Sequence, residues 1–281
     1  MLALAGAPAS VKGGFTTRQG GCSQSRFASL NLDMRPAAPG AGDDETDHLE
    51  LVHANLALFR ATLELGRTPL TLAEQVHGVG VGEVMPNSQR VLPGADAIVA
   101  GTGSFVGVLT ADCVPMLLMD LSVGERSWRR VAAVHAGWKG LLGGLIGNTL
   151  KAMAASGARS ADLGAIIGPA IGPCCYLVGE ERAAAFAQRA GAAVTTLGEA
   201  RARQPGELAS GARAPLPKGS SGQGLSLDLV ASARAGLIAG GVREANIIDS
   251  GLCTSCEREL FFSFRRDGGV TGRQLAYLAN G

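Results

Sequence analysis

Val131–Val134 is an apolar run of strand length that ends directly on a histidine, His135. The chain then passes through Gly137 and Gly140 into a stretch, Leu141–Ala155, long enough for about four helical turns. A further apolar run, Leu163–Ile167, follows. A strand with no polar alternation has to be covered on both faces, and a helix entered from its end is the natural cover. Residues 131–167 therefore read as a parallel βαβ unit, and the chain as α/β or α+β with a mixed central sheet and flanking helices.

Other segments fit that frame. Val79–Val84, Ala97–Ala100, Phe105–Leu109, Met116–Met119, Asn246–Asp249, Phe261–Phe264 and Gln274–Leu278 read as strands. Helices are expected over 43–66, where Asp43, Asp44 and Glu45 favour a start and Gly66 a stop, over Glu180–Ala190, and over Leu227–Ala239 with Ser226 or Asp228 near its N-cap. Residues 198–224, rich in Pro, Gly, Ser and Arg, read as a long surface loop. No repeat of solenoid period occurs.

Composition supplies the core and removes several function classes. Hydrophobic residues make up 46 % of the 281 and charged residues 17 %, so the chain can fold without a staple. Net charge is +1, which gives no bulk field for nucleic acid or anionic lipid, so a charged ligand needs a local site. The N-terminal ten residues lack a basic start and a full apolar core for export, and no apolar stretch is long enough to span a bilayer. The expectation is a cytoplasmic protein with a small-molecule substrate, no nucleic-acid partner and no membrane partner.

Only four histidines occur, His48, His53, His77 and His135. His48 and His53 lie in the helix-like stretch and read as ordinary helix residues. His77, in Glu74-Gln75-Val76-His77-Gly78, precedes a strand; His135 ends one; Cys113, in Thr110-Ala111-Asp112-Cys113-Val114-Pro115, also ends an apolar run. Ligands in α/β proteins collect at strand ends. Two histidines and a cysteine are donors for zinc or copper, and three protein ligands with an open fourth position make a catalytic zinc site. The same residues could form a cysteine–histidine nucleophilic pair.

Gly137, Gly140, Gly143 and Gly144 surround the helix start beside Lys139, a setting suited either to phosphate or to close strand–helix packing. Six cysteines occur, at 22, 113, 174, 175, 253 and 256. Cys253-Thr254-Ser255-Cys256 is a C-x-x-C pair that would need a second pair nearby to hold zinc. Cys174 and Cys175 are adjacent, and adjacent cysteines rarely chelate one metal, so the sequence argues against a second zinc.

Several of these blocks occur together in one known family. Gln75-Val76-His77-Gly78, Ala111-Asp112-Cys113, His135-Ala136-Gly137-Trp138-Lys139-Gly140 and Gly168-Pro169-Ala170-Ile171-Gly172-Pro173-Cys174-Cys175-Tyr176 resemble the bacterial YfiH-type proteins, also called the laccase-domain or polyphenol oxidase family and peptidoglycan editing factor. Thr17-Arg18-Gln19-Gly20-Gly21, Ser29-Leu30-Asn31-Leu32 and Phe261-Phe262-Ser263-Phe264-Arg265-Arg266 extend the resemblance from about residue 15 to 275, in the family's order. The resemblance implies one α/β domain over 1–281, with His77, Cys113 and His135 on the metal-binding and catalytic positions. It implies purine nucleoside phosphorolysis, with adenosine deamination and methylthioadenosine cleavage as related reactions. Some members are assigned to peptidoglycan precursor editing. The family often has Arg where this chain has Lys139.

The leading reading is a zinc-dependent purine nucleoside phosphorylase in which Lys139 holds phosphate and Ser29 and Asn31 touch the nucleoside. The alternative is a hydrolase that removes a misincorporated amino acid from a cell-wall precursor, with Cys113 or metal-bound water as nucleophile. A non-enzymatic metal-binding protein is the third. Four histidines are too few for a multicopper oxidase, so copper is expected only as a single adventitious ion.

Overall fold

The computed structural model describes residues 11–35, 42, 46–63, 68–84, 90–122, 130–190, 194–196, 199–200 and 224–280. The expected loop at 198–224 falls for its greater part, 201–223, outside these residues, as do the N-terminal ten and the expected helix start at 43–45. The strands are β1 (Val11–Phe15), β2 (Leu70–Ala73), β3 (Val81–Glu83), β4 (Val91–Leu92), β5 (Ala97–Ala100), β6 (Ser104–Thr110), β7 (Val114–Asp120), β8 (Val131–Ala136), β9 (Leu163–Ile167), β10 (Val194–Thr196), β11 (Leu225–Leu227), β12 (Ile247–Asp249) and β13 (Gln274–Asn280). The helices are α1 (Leu49–Leu63), α2 (Trp138–Gly143), α3 (Leu145–Ala155), α4 (Glu180–Ala190) and α5 (Leu229–Ala239).

A five-stranded sheet runs in the order β1-β13-β6-β2-β4, a six-stranded sheet in the order β12-β9-β7-β8-β5-β3, and β10 pairs with β11. Both large sheets mix parallel and antiparallel pairs. They pack face to face, with Val106, Val108, Ala276 and Leu278 of one against Ile98, Leu117, Val131 and Ala133 of the other. Helices α3 and α5 cover the outer face of the six-stranded sheet through Leu145, Leu150, Met153, Leu229 and Leu237. Helix α1 covers the outer face of the five-stranded sheet, where Phe59 meets Tyr277 edge to face at 4.9 Å. Side chains alternate across a strand, so β7 sends Met116 and Leu118 toward the helices and Leu117 and Met119 toward the other sheet. That is why its apolar run shows no polar alternation.

The mixed-sheet α/β architecture agrees with the sequence reading, with four differences. The 131–167 unit is split: β7 lies between β8 and β9 and runs antiparallel to both, so the two parallel strands are not neighbours. The expected helix 141–155 starts earlier and breaks at Gly144, whose φ of 93° only glycine takes up easily, giving α2 and α3. Phe261–Phe264 is not a strand; the Gln274 side chain takes both backbone groups of Phe262, at 3.1 and 3.2 Å, in place of a ladder. Leu70–Ala73, which carried no strand signal, is β2, paired with β6 and β4. Asp228 is the N-cap of α5, its carboxylate accepting from the Ala231 amide at 2.8 Å. No helix among the described residues is long and apolar enough to cross a membrane.

Candidate active site

Two turns and the end of one strand converge. The turn between β6 and β7 crosses from one sheet to the other and carries Asp112 and Cys113. The turn after β2 carries His77. The last residues of β8 carry His135, which lies inside the strand and not beyond it. The ligand atoms of His77, Cys113 and His135 all lie within 4.8 Å of one another. The two imidazole rings meet edge to face at 4.9 Å between centroids. His135 is buried, Cys113 half-buried and His77 exposed, so the group opens toward solvent on the His77 side.

Asp96 is the residue that fixes this geometry, and nothing in the sequence singled it out. It is fully buried immediately before β5, across from His135. Its Oδ1 receives the His135 Nδ1 at 2.9 Å and the His77 amide at 3.0 Å, and its Oδ2 receives the Gly78 amide at 2.7 Å. Burial alone would raise this carboxyl; the His135 ring and the two amides hold it below the ordinary carboxylate value. Nδ1 of His135 is therefore the nitrogen that donates to Asp96, and Nε2 is the one left to face the site.

The backbone is held in uncommon conformations around the group. Gln75, His77 and Asp112 have φ of 65°, 59° and 94°, which persist in non-glycine residues only when the surroundings enforce them. Gln75 is pinned by a reciprocal pair, its Nε2 donating to the Leu109 carbonyl at 2.5 Å and its Oε1 accepting from the Leu109 amide at 2.8 Å. Asp112 accepts from Thr254 Oγ1 at 2.6 Å and from the Arg265 amide at 2.7 Å, and its carbonyl accepts from the Ile171 amide at 2.9 Å. Burial pushes the Asp112 carboxyl up against the pull of these donors.

Burial also pushes the Cys113 thiol up, but the adjoining His135 and His77 outweigh it and bring its pKa down to about 6. Burial lowers His135, while Cys113 and Asp96 raise it to about 9. A thiol that ionises this readily is a good metal ligand and a good nucleophile. Gly137, the N-cap of α2, lies directly against the group: a Cβ there would stand 3.2 Å from Cys113 Sγ and from His77 Cδ2.

The remaining sequence candidates lie around this centre. Lys139 is exposed near the start of α2, its Nζ 5.7 Å from the Trp138 ring centroid; Arg182 stacks on the same ring at 4.2 Å. Ser29 lines an open cleft of about 450 Å³ with Arg18, Arg258 and Arg266, which contains none of the three central residues. The cleft wall and the centre share a segment, since the Arg265 amide binds Asp112. Asn31 is buried, its Nδ2 donating to Asp47 at 2.9 Å and its Oδ1 accepting from the Arg273 and Asp33 amides at 2.8 and 3.1 Å. His48 and His53 are exposed at α1, apart from the centre.

Residues 12–280 match the family described as multi-copper polyphenol oxidoreductase laccase. The chain belongs to this family, that of the YfiH-type proteins. It is 35 % identical to the purine nucleoside phosphorylase YlmD of Geobacillus stearothermophilus, over 97 % of this chain and 92 % of that protein. It is 33 % identical to the adenosine deaminase RL5 of an unknown prokaryote, over 81 % of this chain and 80 % of that one. A crystal structure of Bacillus licheniformis YfiH superimposes with a TM-score of 0.77 at 29 % identity, covering 96 % of this chain and 93 % of that one. In this YfiH-type protein the donor set of His77, Cys113 and His135 suits a single ion. Two imidazoles and one thiol cannot furnish a multicopper cluster, and His48 and His53 lie elsewhere.

Proposed function

We propose that this protein is a zinc-dependent purine nucleoside phosphorylase, converting adenosine, inosine or guanosine with phosphate into the free base and ribose 1-phosphate. Adenosine deamination and methylthioadenosine cleavage are related reactions of the same centre. The observation that carries the reading is the convergence of His77, Cys113 and His135 around one point, with His135 oriented by Asp96. Kinship to proteins named as phosphorylases supports it.

His77, Cys113 and His135 would hold the zinc, which would supply a Lewis acid. In phosphorolysis a phosphate oxygen forms a bond to the anomeric carbon while the glycosidic C–N bond breaks. The bonding pair leaves with the purine, which takes up a proton on nitrogen. The dianion has to be held against its own hydration, and the nearly neutral chain provides no general attraction. Lys139 and the first amides of α2, whose N-cap adjoins Cys113 and His77, supply a local one. Ser29 contacts the nucleoside from the neighbouring cleft. Asn31, expected beside Ser29 at the nucleoside, has its side-chain amide engaged by Asp47 and by the Asp33 and Arg273 amides.

Inosine is expected to yield hypoxanthine and ribose 1-phosphate only when phosphate is present, as chromatography of the products will read. Lys139→Ala should raise the KM for phosphate about 10-fold or more, by loss of a charge-assisted contact, while changing the KM for inosine far less and leaving zinc content intact. Lys139→Arg should keep much of the activity. Release of free ribose at the same rate without phosphate would make the enzyme a nucleoside hydrolase.

One observation favours a second reading. Cys113 lies between two imidazoles, as a cysteine nucleophile and its base also require. A protein that leaves every nucleoside untouched but cleaves an amide of a cell-wall precursor would establish the hydrolase in its place.

The close fit of Gly137 gives a separate check on the centre. Its φ of −72° and ψ of 168° accommodate alanine, so Gly137→Ala leaves the backbone unstrained and intrudes only on Cys113 and His77. Zinc affinity, measured by chelator competition, should fall roughly 10-fold, the scale of defects just outside a ligand set. Unchanged affinity would mean that the three side chains do not share an ion.

A further inference from the structure

We propose that Cys174, Cys175, Cys253 and Cys256 bind a second zinc ion as a structural tetrathiolate, formed by residues wholly separate from the His77, Cys113 and His135 centre. The four sulfurs all lie within 4.8 Å of one another. Cys256 Sγ is 3.5 Å from Cys175 Sγ and 3.6 Å from Cys174 Sγ. Four thiolates at zinc's usual bond length of about 2.3 Å stand about 3.8 Å apart at the corners of a tetrahedron. A disulfide would need about 2.05 Å, and none of the six cysteines is in one. All four cysteines are 5 % exposed or less, as in a closed site with no open position. An all-sulfur tetrahedron selects zinc over the harder cations.

The loops are built to bring these sulfurs together. In a strand, adjacent side chains point to opposite faces, which is the objection to Cys174-Cys175. Here they sit in a turn, the Cys175 and Tyr176 amides donating to the Gly172 carbonyl at 3.0 and 3.1 Å. Cys253–Cys256 is likewise a turn, closed by the Cys256 amide on the Cys253 carbonyl at 3.1 Å. The two turns are joined by a parallel bridge between Ala170 and Cys253 and by the Gly172 amide, which donates to Cys253 Sγ at 3.2 Å. Such N–H donors stabilise thiolate.

The site is a clamp behind the first centre. Thr254, between two of the ligands, donates to Asp112, and Ile171, on the other turn, donates to the Asp112 carbonyl. Fixing the two turns thus fixes the residue next to Cys113.

Untagged protein from zinc-supplemented culture should contain two zinc per chain by elemental analysis. His77→Ala with Cys113→Ala should retain one, and Cys253→Ser with Cys256→Ser should lose that one. Should the cysteine variant fail to fold, the His77→Ala, Cys113→Ala protein still decides: its zinc X-ray absorption should show four sulfurs and no nitrogen, and cobalt in its place should give tetrathiolate charge-transfer bands. Loss of all zinc from that variant, or iron in place of zinc, would overturn the proposal. So would two titratable thiols in place of six in the denatured, chelated wild-type chain, which would reveal two disulfides. Because the variants separate the two sites, failure here leaves the phosphorylase reading standing.

Discussion

The double substitution His77→Ala with Cys113→Ala is expected to abolish inosine phosphorolysis, a loss of at least about 1000-fold, since Lewis-acid stabilisation of a transition state is worth several kcal/mol. Both side chains lie on the open side of the centre, His77 exposed and Cys113 half-buried, so their removal leaves the packed sheets untouched. The strained turns that carry them are held by Gln75, Asp112 and Thr254, none of which is altered. With metal stripped from both proteins, so that lost zinc binding does not itself lower stability, the melting temperature should therefore move little while turnover of the zinc-supplied variant disappears. The measurement is product formation from inosine and phosphate by the variant beside the wild type. Phosphorolysis retained within 10-fold of wild type would show that the centre is not where the chemistry takes place.

Asp96→Asn is expected to weaken zinc binding at the same centre by about 10- to 100-fold, the usual cost of removing the carboxylate behind a metal-bound histidine. Asp96 accepts from three donors at once, the His135 ring and the His77 and Gly78 amides, and an anion is suited to that task because it has acceptors only. An asparagine of the same shape places an NH₂ group against either the His135 ring or the Gly78 amide. It must then lose a bond or force His135 to carry its proton on Nε2, the nitrogen that faces the ion. Chelator competition reads the affinity, and a loss of kcat that excess zinc restores would separate poor metal retention from misfolding. An unaltered affinity would mean that His135 is oriented by packing alone.

The sequence by itself determined the alternation of strands and helices, because burial on both faces leaves apolar runs of strand length in β5, β7, β8 and β9. It also pointed to His77, Cys113 and His135, which the fold brings together, because they stand in short blocks that resemble a known family and near strand ends. Local signals did not reach further, for physical reasons that differ from case to case. The neighbours of a strand depend on long-range pairing, so the insertion of β7 between β8 and β9 had no local mark. Asp96 looks like any acidic residue before a strand until the sheet sets it opposite His135. The Phe262 segment has the composition of a strand, yet one distant amide side chain, Gln274, satisfies its backbone first. Adjacent cysteines point apart in an extended chain, and only the turns at Gly172 and Cys253, brought together across the fold, let four sulfurs converge. A sequence fixes what each residue can do; only the tertiary structure decides which residues do it together, because a binding or catalytic group is a matter of a few ångströms between segments far apart in the chain.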